Sequence, residues 1–179
     1  MKGIVFTEFL ELVEKKFGLE MVDKIIAQSK LESQGAYTSV GTYKFSEMIQ
    51  LLQNLSLNTG INKDDLLLLY AQHFFEALRE NYPDIFLKYK DPIEMLSSIE
   101  THIHREVEKI YPNAELPTFE VLEQTSTTLI MVYKSDRAMY YFGLGLMNKT
   151  FEYFNTSATI EIEKIKENGT EVKFIITKN

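Results

Sequence analysis

The residue pattern predicts an α+β fold: a helical first half, then a four-stranded antiparallel sheet with one more helix. Apolar residues recur at helical spacing as far as Ile110, and beyond Pro117 the period falls to two. Thr/Ser-rich and Asn-Gly stretches cut the second region into two strand pairs.

The elements follow in chain order. Val5, Phe6, Phe9, Leu10, Val13 and Phe17 form one apolar stripe that stops at Gly18, giving a first helix. A second helix is expected from Leu19 to about Lys30, and the glycine-bearing stretch from Leu31 to Tyr43 reads as a loop. Two longer helices then cover Ser46 to Asn58 and Asp64 to Asn81, with Gly60 ending the first and Asn62 capping the second. Pro83 breaks the pattern. Asp91-Pro92-Ile93-Glu94 joins an N-cap carboxylate, a proline at the first helical position and a glutamate three residues after the cap, so a strong helix starts there. It is expected to continue to about Ile110. Strands are expected over Phe119 to Gln124 and Thr128 to Tyr133, a helix over Ala138 to Phe154, and a second hairpin around Asn168-Gly169, where Asn-Gly suits a two-residue turn. That makes six or seven helices and four strands, with no linker composition and no internal repeat.

Composition narrows the function. The chain has 179 residues, 45% of them hydrophobic, which is enough for one substantial core and too few for a separate output enzyme. A net charge of -7 with no basic run argues against a surface that tracks nucleic-acid phosphates. Glu8 and Glu11 interrupt the apolar start, unlike a signal peptide, and the apolar runs Leu66 to Ala71 and Tyr140 to Met147 fall far short of a bilayer span. A cytoplasmic location without membrane contact is therefore expected. Zero cysteines exclude disulfides, thiolate-ligated haem and cysteine-based zinc sites.

The string Tyr133-Lys134-Ser135-Asp136-Arg137 carries the most chemistry. Tyrosine, serine and arginine at alternate positions offer two hydroxyls and a planar guanidinium fork, a donor set suited to neighbouring carboxylates. Read alone, the string also fits an ordinary helix start, with Ser135 or Asp136 as N-cap and Arg137 in a surface ion pair. His102 and His104 both lie on the helix before it. With Ile99, Ile103, Val107 and Ile110 marking that helix's apolar stripe, the two histidines flank the stripe on opposite sides, and periodicity does not choose between them.

Taken in order, Met1-Lys2-Gly3-Ile4-Val5-Phe6, Phe9-Leu10-Glu11-Leu12-Val13, Gly41-Thr42-Tyr43, His104, Ile110-Tyr111-Pro112, Leu116-Pro117, the Tyr133 string and Gly145-Leu146 resemble the H-NOX (haem nitric oxide/oxygen binding) family, which includes bacterial stand-alone sensors and the haem domain of soluble guanylate cyclase. The resemblance spans nearly the whole chain. It implies a distal helical part over about 1–62 and a proximal part over about 63–179, with haem b between them. Its register, counted back from Ile110-Tyr111-Pro112 and Leu116-Pro117, makes His104 the axial ligand of a ferrous iron. Tyr133, Ser135 and Arg137 are then the holders of the two haem propionates, and Pro117 presses on the macrocycle.

The same resemblance sets the expected ligand. Oxygen-binding relatives carry a distal tyrosine where this chain has Phe142, and Val5, Phe9 and Phe74 match other pocket-lining positions, all apolar. On a helix Tyr140 and Tyr141 point roughly 200° and 100° away from Phe142, and His73 is expected to face off the pocket. The implied protein is a nitric oxide sensor that also binds carbon monoxide but not oxygen, has no catalytic residues, and signals through cleavage of the bond between iron and His104. Its partner would be a histidine kinase or a cyclic-di-GMP enzyme. Two other classes compete: a haem peroxidase-type enzyme, which wants a distal acid/base pair, and a haem-free interaction module.

Overall fold

The computed structural model describes residues 1–179 as eight α-helices, one π turn and four strands. Helix α1 (Gly3–Phe17) buries Phe6, Phe9, Leu12 and Val13, and Gly18, at φ 86°, turns the chain into α2 (Leu19–Ala27). The second helix stops before the predicted Lys30, because the Lys30 amide turns aside to donate to Gln50 Oε1 at 2.8 Å. The loop that follows is tied down from both ends. Gly3 and Ile4 donate to the carbonyls of Gly41 and Ser39, and Tyr37 stacks on Phe6 with ring centroids 4.5 Å apart. Glu47, a buried acid, anchors the loop by accepting from the hydroxyls of Ser33 and Tyr37, which satisfies a carboxylate that would otherwise be costly to desolvate.

Glu47 belongs to α3 (Phe45–Thr59), which ends at Gly60 in the left-handed conformation. Asn62 then caps α4 (Lys63–Asn81) by accepting from the Asp65 amide, as expected from the sequence. Pro83 does not simply break the pattern. It sits at the first turn of a short helix, α5 (Pro83–Leu87), where its missing N–H is no loss. The Asp91 cap is also present, its carboxylate accepting from the Ile93 and Glu94 amides at the start of α6 (Pro92–Ser97).

The long helix expected from Asp91 to Ile110 is interrupted. A π turn over Ile99–Ile103 separates α6 from α7 (His104–Ile110), with the His104 amide donating to the Ile99 carbonyl five residues back. The extra residue advances the helix phase by about 100°.

Strands β1 (Thr118–Gln124), β2 (Thr128–Lys134), β3 (Ala158–Lys164) and β4 (Glu171–Lys178) form one antiparallel sheet in the order β1-β2-β4-β3. Its inner face reads directly from the register: Leu129 opposes Ile176, Met131 opposes Phe174 and Tyr133 opposes Val172, all buried. The last hairpin is longer than a two-residue turn. Ile165 to Thr170 link the strands, with Gly169, at φ 76°, donating to the Lys166 carbonyl and Asn168 bonding back to Thr170. A six-residue loop relocates the Asn-Gly pair to its far corner.

Helix α8 (Tyr140–Tyr153) joins the two halves. One face of it meets α4, where Gly145 lies so close that a Cβ there would stand 2.5 Å from Ala71 Cβ. Its other face supplies Met147 and Phe151 to the sheet core, beside Ile93 and Leu96 of α6. No helix is long and apolar enough to cross a membrane.

Candidate cofactor pocket

A cavity of about 280 Å³ lies between the helical core and the sheet core, and 24 of its 32 lining residues are hydrophobic. Helices α1, α4 and α8 supply Val5, Phe74 and Phe142. The π turn and α7 supply Ile99, Ile103, His104, Val107 and Ile110, and Pro117, just before β1, and Phe119, within it, complete this side. The stripe that looked like core packing in the sequence is cavity wall instead, which is why α7 has no fully buried residue.

His104 is the one imidazole in this wall. Its side chain is 15% exposed, its Nδ1 lies 2.9 Å from Glu100 Oε1, and its Nε2 has no protein partner. Burial pulls its pKa below the ordinary histidine value, against the opposing pull of Glu100 and Glu108. His102, two residues earlier, is turned away: its Nδ1 meets the Tyr89 hydroxyl at 2.5 Å and its Nε2 meets Lys88 Nζ at 2.7 Å. The choice that periodicity left open is thus made by the π turn. A polar cleft borders the other side of His104, between Glu100, Arg105, Glu108 and Pro117.

Tyr133, Ser135 and Arg137 converge at one edge of the cavity, where β2 ends. The Tyr133 hydroxyl accepts from the Met139 amide at 3.1 Å, and burial raises its pKa. Ser135 Oγ accepts from the Arg137 amide at 3.3 Å. Arg137 donates to the Glu115 carbonyl at 2.7 Å, and its other terminal nitrogen pairs with the Glu115 carboxylate. Arg137 is 17% exposed and Glu115 76% exposed, so the guanidinium is fixed while its acid partner is free to give way. Lys134 points elsewhere, pairing with Glu120 and Glu171. Ala138, at φ 50°, turns the chain from this edge toward α8.

The far wall departs from expectation at Phe9 and Tyr70. Phe9, expected among the pocket-lining residues, does not reach the cavity. It is fully buried one layer behind, edge-on to Tyr70 at 5.3 Å. Tyr70, which the sequence reading missed, packs its ring on Phe142 at 4.9 Å and Phe74 at 5.7 Å, and its hydroxyl donates to the Val5 carbonyl at 2.6 Å. Spacing of four residues from Phe74 on α4 was the available signal. His73 faces off the cavity, as expected, with Nε2 3.1 Å from Glu8 Oε2. Tyr140 and Tyr141 stay out of the cavity wall too.

The residues fit a flat, apolar ligand with an acidic edge. An apolar slot with one inward imidazole takes the ring and its metal, and the fixed guanidinium, now holding a carboxylate, takes the acid groups.

Fold and pocket together define a ligand-binding domain organised around an apolar cofactor cavity. The chain belongs to the Haem-NO-binding (HNOB, or H-NOX) family of haem-dependent gas-sensor domains, whose sequence pattern residues 2–162 match. The Fe(II) unliganded H-NOX protein from K. algicida is 72% identical, superposes with a TM-score of 0.98, and is matched over 100% of this chain and 97% of its own. The H-NOX from Shewanella woodyi, solved with IWP-051 in the Fe(II)CO state, is 37% identical with a TM-score of 0.85, over 100% of this chain and 95% of its own. The S. oneidensis H-NOX in the Fe(II)NO state, at 22% identity and a TM-score of 0.91 over 100% and 99%, shares the fold. No curated protein gives a significant match.

Proposed function

We propose that this chain is a nitric oxide sensor that binds ferrous haem b through His104 and reports to a separate signalling protein. The observation that carries the reading is the pairing, in one apolar cavity, of a single inward imidazole with a Tyr-Ser-Arg edge. When bound, haem supplies an iron at which a diatomic gas attaches. His104 would offer Nε2 to it from α7, Arg137 would exchange the exposed Glu115 for a propionate, Tyr133 and Ser135 would add hydroxyls, and Pro117 would pack against the macrocycle.

Selectivity follows from the opposite wall. Val5, Phe74 and Phe142 present no hydrogen-bond donor, so bound oxygen, which carries partial negative charge, would not be held there, while nitric oxide and carbon monoxide need no such donor. The Tyr70 hydroxyl behind this wall is committed to the Val5 carbonyl, and among the cavity-lining hydroxyls those of Tyr82 and Tyr111 bond each other while that of Thr150 donates to the Leu146 carbonyl. The same wall lacks the acid/base pair a peroxidase would need. On this reading His104 would carry the signal: while it ligates the haem it would keep α7 docked, and its release would free that helix to shift a surface read by a histidine kinase or a cyclic-di-GMP enzyme.

The test is spectroscopic. The ferrous protein should form no lasting oxy complex in air, bind carbon monoxide, and become five-coordinate with nitric oxide. Phe142→Tyr supplies the missing donor and should lengthen oxygen residence. A long-lived oxy spectrum in the unmodified protein overturns the selectivity, and equal partner activity with and without nitric oxide overturns the sensing.

A further inference from the structure

Glu100 stands out because one carboxylate oxygen serves two elements at once. Its Oε1 lies 2.9 Å from His104 Nδ1 and accepts the Phe119 amide at 2.9 Å, bridging the π turn to the first residues of β1. Glu100 lies inside the π turn and His104 is the first residue after it, and their i,i+4 spacing sets the two side chains one above the other on the helix surface. The glutamate is 38% exposed on the polar cleft while His104 is 15% exposed, so the acid is the more solvated of the two.

Resting on the reading of His104 as axial ligand, we infer that Glu100 is a positioning residue that sets the strength of that ligation, and with it the ease with which His104 is released. The chemistry is that of a carboxylate behind a metal-bound histidine. An acceptor at Nδ1 fixes the proton on that nitrogen, leaves the Nε2 lone pair facing the cavity, and enriches it in electron density. The Phe119 amide keeps the acceptor in place. A charged oxygen makes Nε2 a stronger donor than a neutral one would, so a bond from Nε2 to haem iron would be stiffer and would yield less readily.

Glu100→Gln and Glu100→Ala separate charge from position. Glutamine keeps an oxygen for Phe119 N–H and His104 Nδ1–H but not the charge, and alanine removes both. In the haem-loaded ferrous protein, the iron–histidine stretching band in resonance Raman should fall in frequency in Glu100→Gln and fall further in Glu100→Ala, and haem affinity should drop by about 10- to 100-fold in the latter. Conversion to the five-coordinate nitric oxide complex should be faster in both. In the haem-free protein, nitrogen NMR of His104 should show the proton on Nδ1 in the unmodified chain and a mixture of tautomers in Glu100→Ala. A merely structural glutamate would leave the stretching frequency unchanged in Glu100→Gln. That result overturns the inference while leaving His104 as ligand intact, whereas a native haem spectrum in His104→Gly would overturn the ligand assignment beneath it.

Discussion

Gly145 and Gly143 stand two residues apart on α8, and the same substitution should have opposite signs at the two. A Cβ at Gly145 would lie 2.5 Å from Ala71 Cβ and 3.2 Å from the Leu68 carbonyl oxygen, where ordinary contact is about 3.5–4.0 Å. Both obstacles are fixed to the α4 backbone, so no rotamer relieves them and the helices must part by about 1 Å. Overpacking of this kind costs about 1–3 kcal/mol, and a rigid backbone contact belongs at the upper end. The better helix propensity of alanine returns about 1 kcal/mol, leaving a net loss of about 2 kcal/mol for Gly145→Ala. For a chain of this length that lowers Tm by about 4–8 °C. At Gly143 the nearest atom is Phe119 Cζ at 3.9 Å, so Gly143→Ala keeps the propensity gain and should be neutral or more stable by up to about 1 kcal/mol. Thermal unfolding of the haem-free protein by circular dichroism is the assay, since a bound ligand raises apparent stability and Gly143 lines the cavity. Ala71→Gly combined with Gly145→Ala should recover most of the loss. Equal Tm for the two single variants, or no recovery in the double one, would refute the packing argument.

Three further outcomes are expected. His104→Gly should abolish the native haem spectrum unless imidazole is supplied, whereas His102→Ala, whose imidazole is held by Tyr89 and Lys88, should leave it intact by absorption spectroscopy. Arg137→Ala, or Tyr133→Phe with Ser135→Ala, should speed haem transfer to an acceptor protein with the fold retained, because the acid edge loses charge-assisted bonds. Asp91→Ala should cost about 1 kcal/mol in urea unfolding at neutral pH through loss of the cap. Burial pushes the Asp91 carboxyl up, but Lys178 and the Ile93 and Glu94 amides outweigh it and hold its pKa below the ordinary aspartate value. A depressed carboxylate contributes stability above its unfolded value and loses it as pH falls through the folded one, so the difference between Asp91→Ala and the unmodified chain should vanish in acid.

Local chemistry made most of the elements legible. Gly18, Gly60, Asn62 and Asp91 mark helix boundaries through backbone freedom or a side-chain cap, and each does so where the sequence indicated. Alternation gave the sheet face, because Leu129, Met131 and Tyr133 share one side of β2 with no neighbour to override the pattern. Errors arose where tertiary contacts outvote local preference. Lys30 leaves its helix for Gln50, and the Asn168-Gly169 pair sits at the corner of a longer loop rather than at the hairpin tip. Above all, the π turn has no periodic signature: a helix with one inserted residue looks like a continuous stripe with its phase shifted.

That inserted residue also explains why the pocket was harder to read than the fold. In a sequence, the wall of an apolar cavity and the packing of a core carry the same residue types at the same spacing. Phe9 and Phe74 were therefore equivalent on paper, yet one packs behind Tyr70 and the other faces the cavity. Polar residues carry more information, because a buried polar atom needs a partner and the partner reveals its orientation. Tyr89 and Lys88 account for His102, Glu8 accounts for His73, and the Val5 carbonyl accounts for Tyr70. His104 alone among the three histidines keeps a ring nitrogen without a protein partner while bordering the apolar cavity. Its inward position depends on the phase shift at Ile99–Ile103, so the irregularity that hid the site from the periodic pattern is the feature that turns His104 toward the pocket.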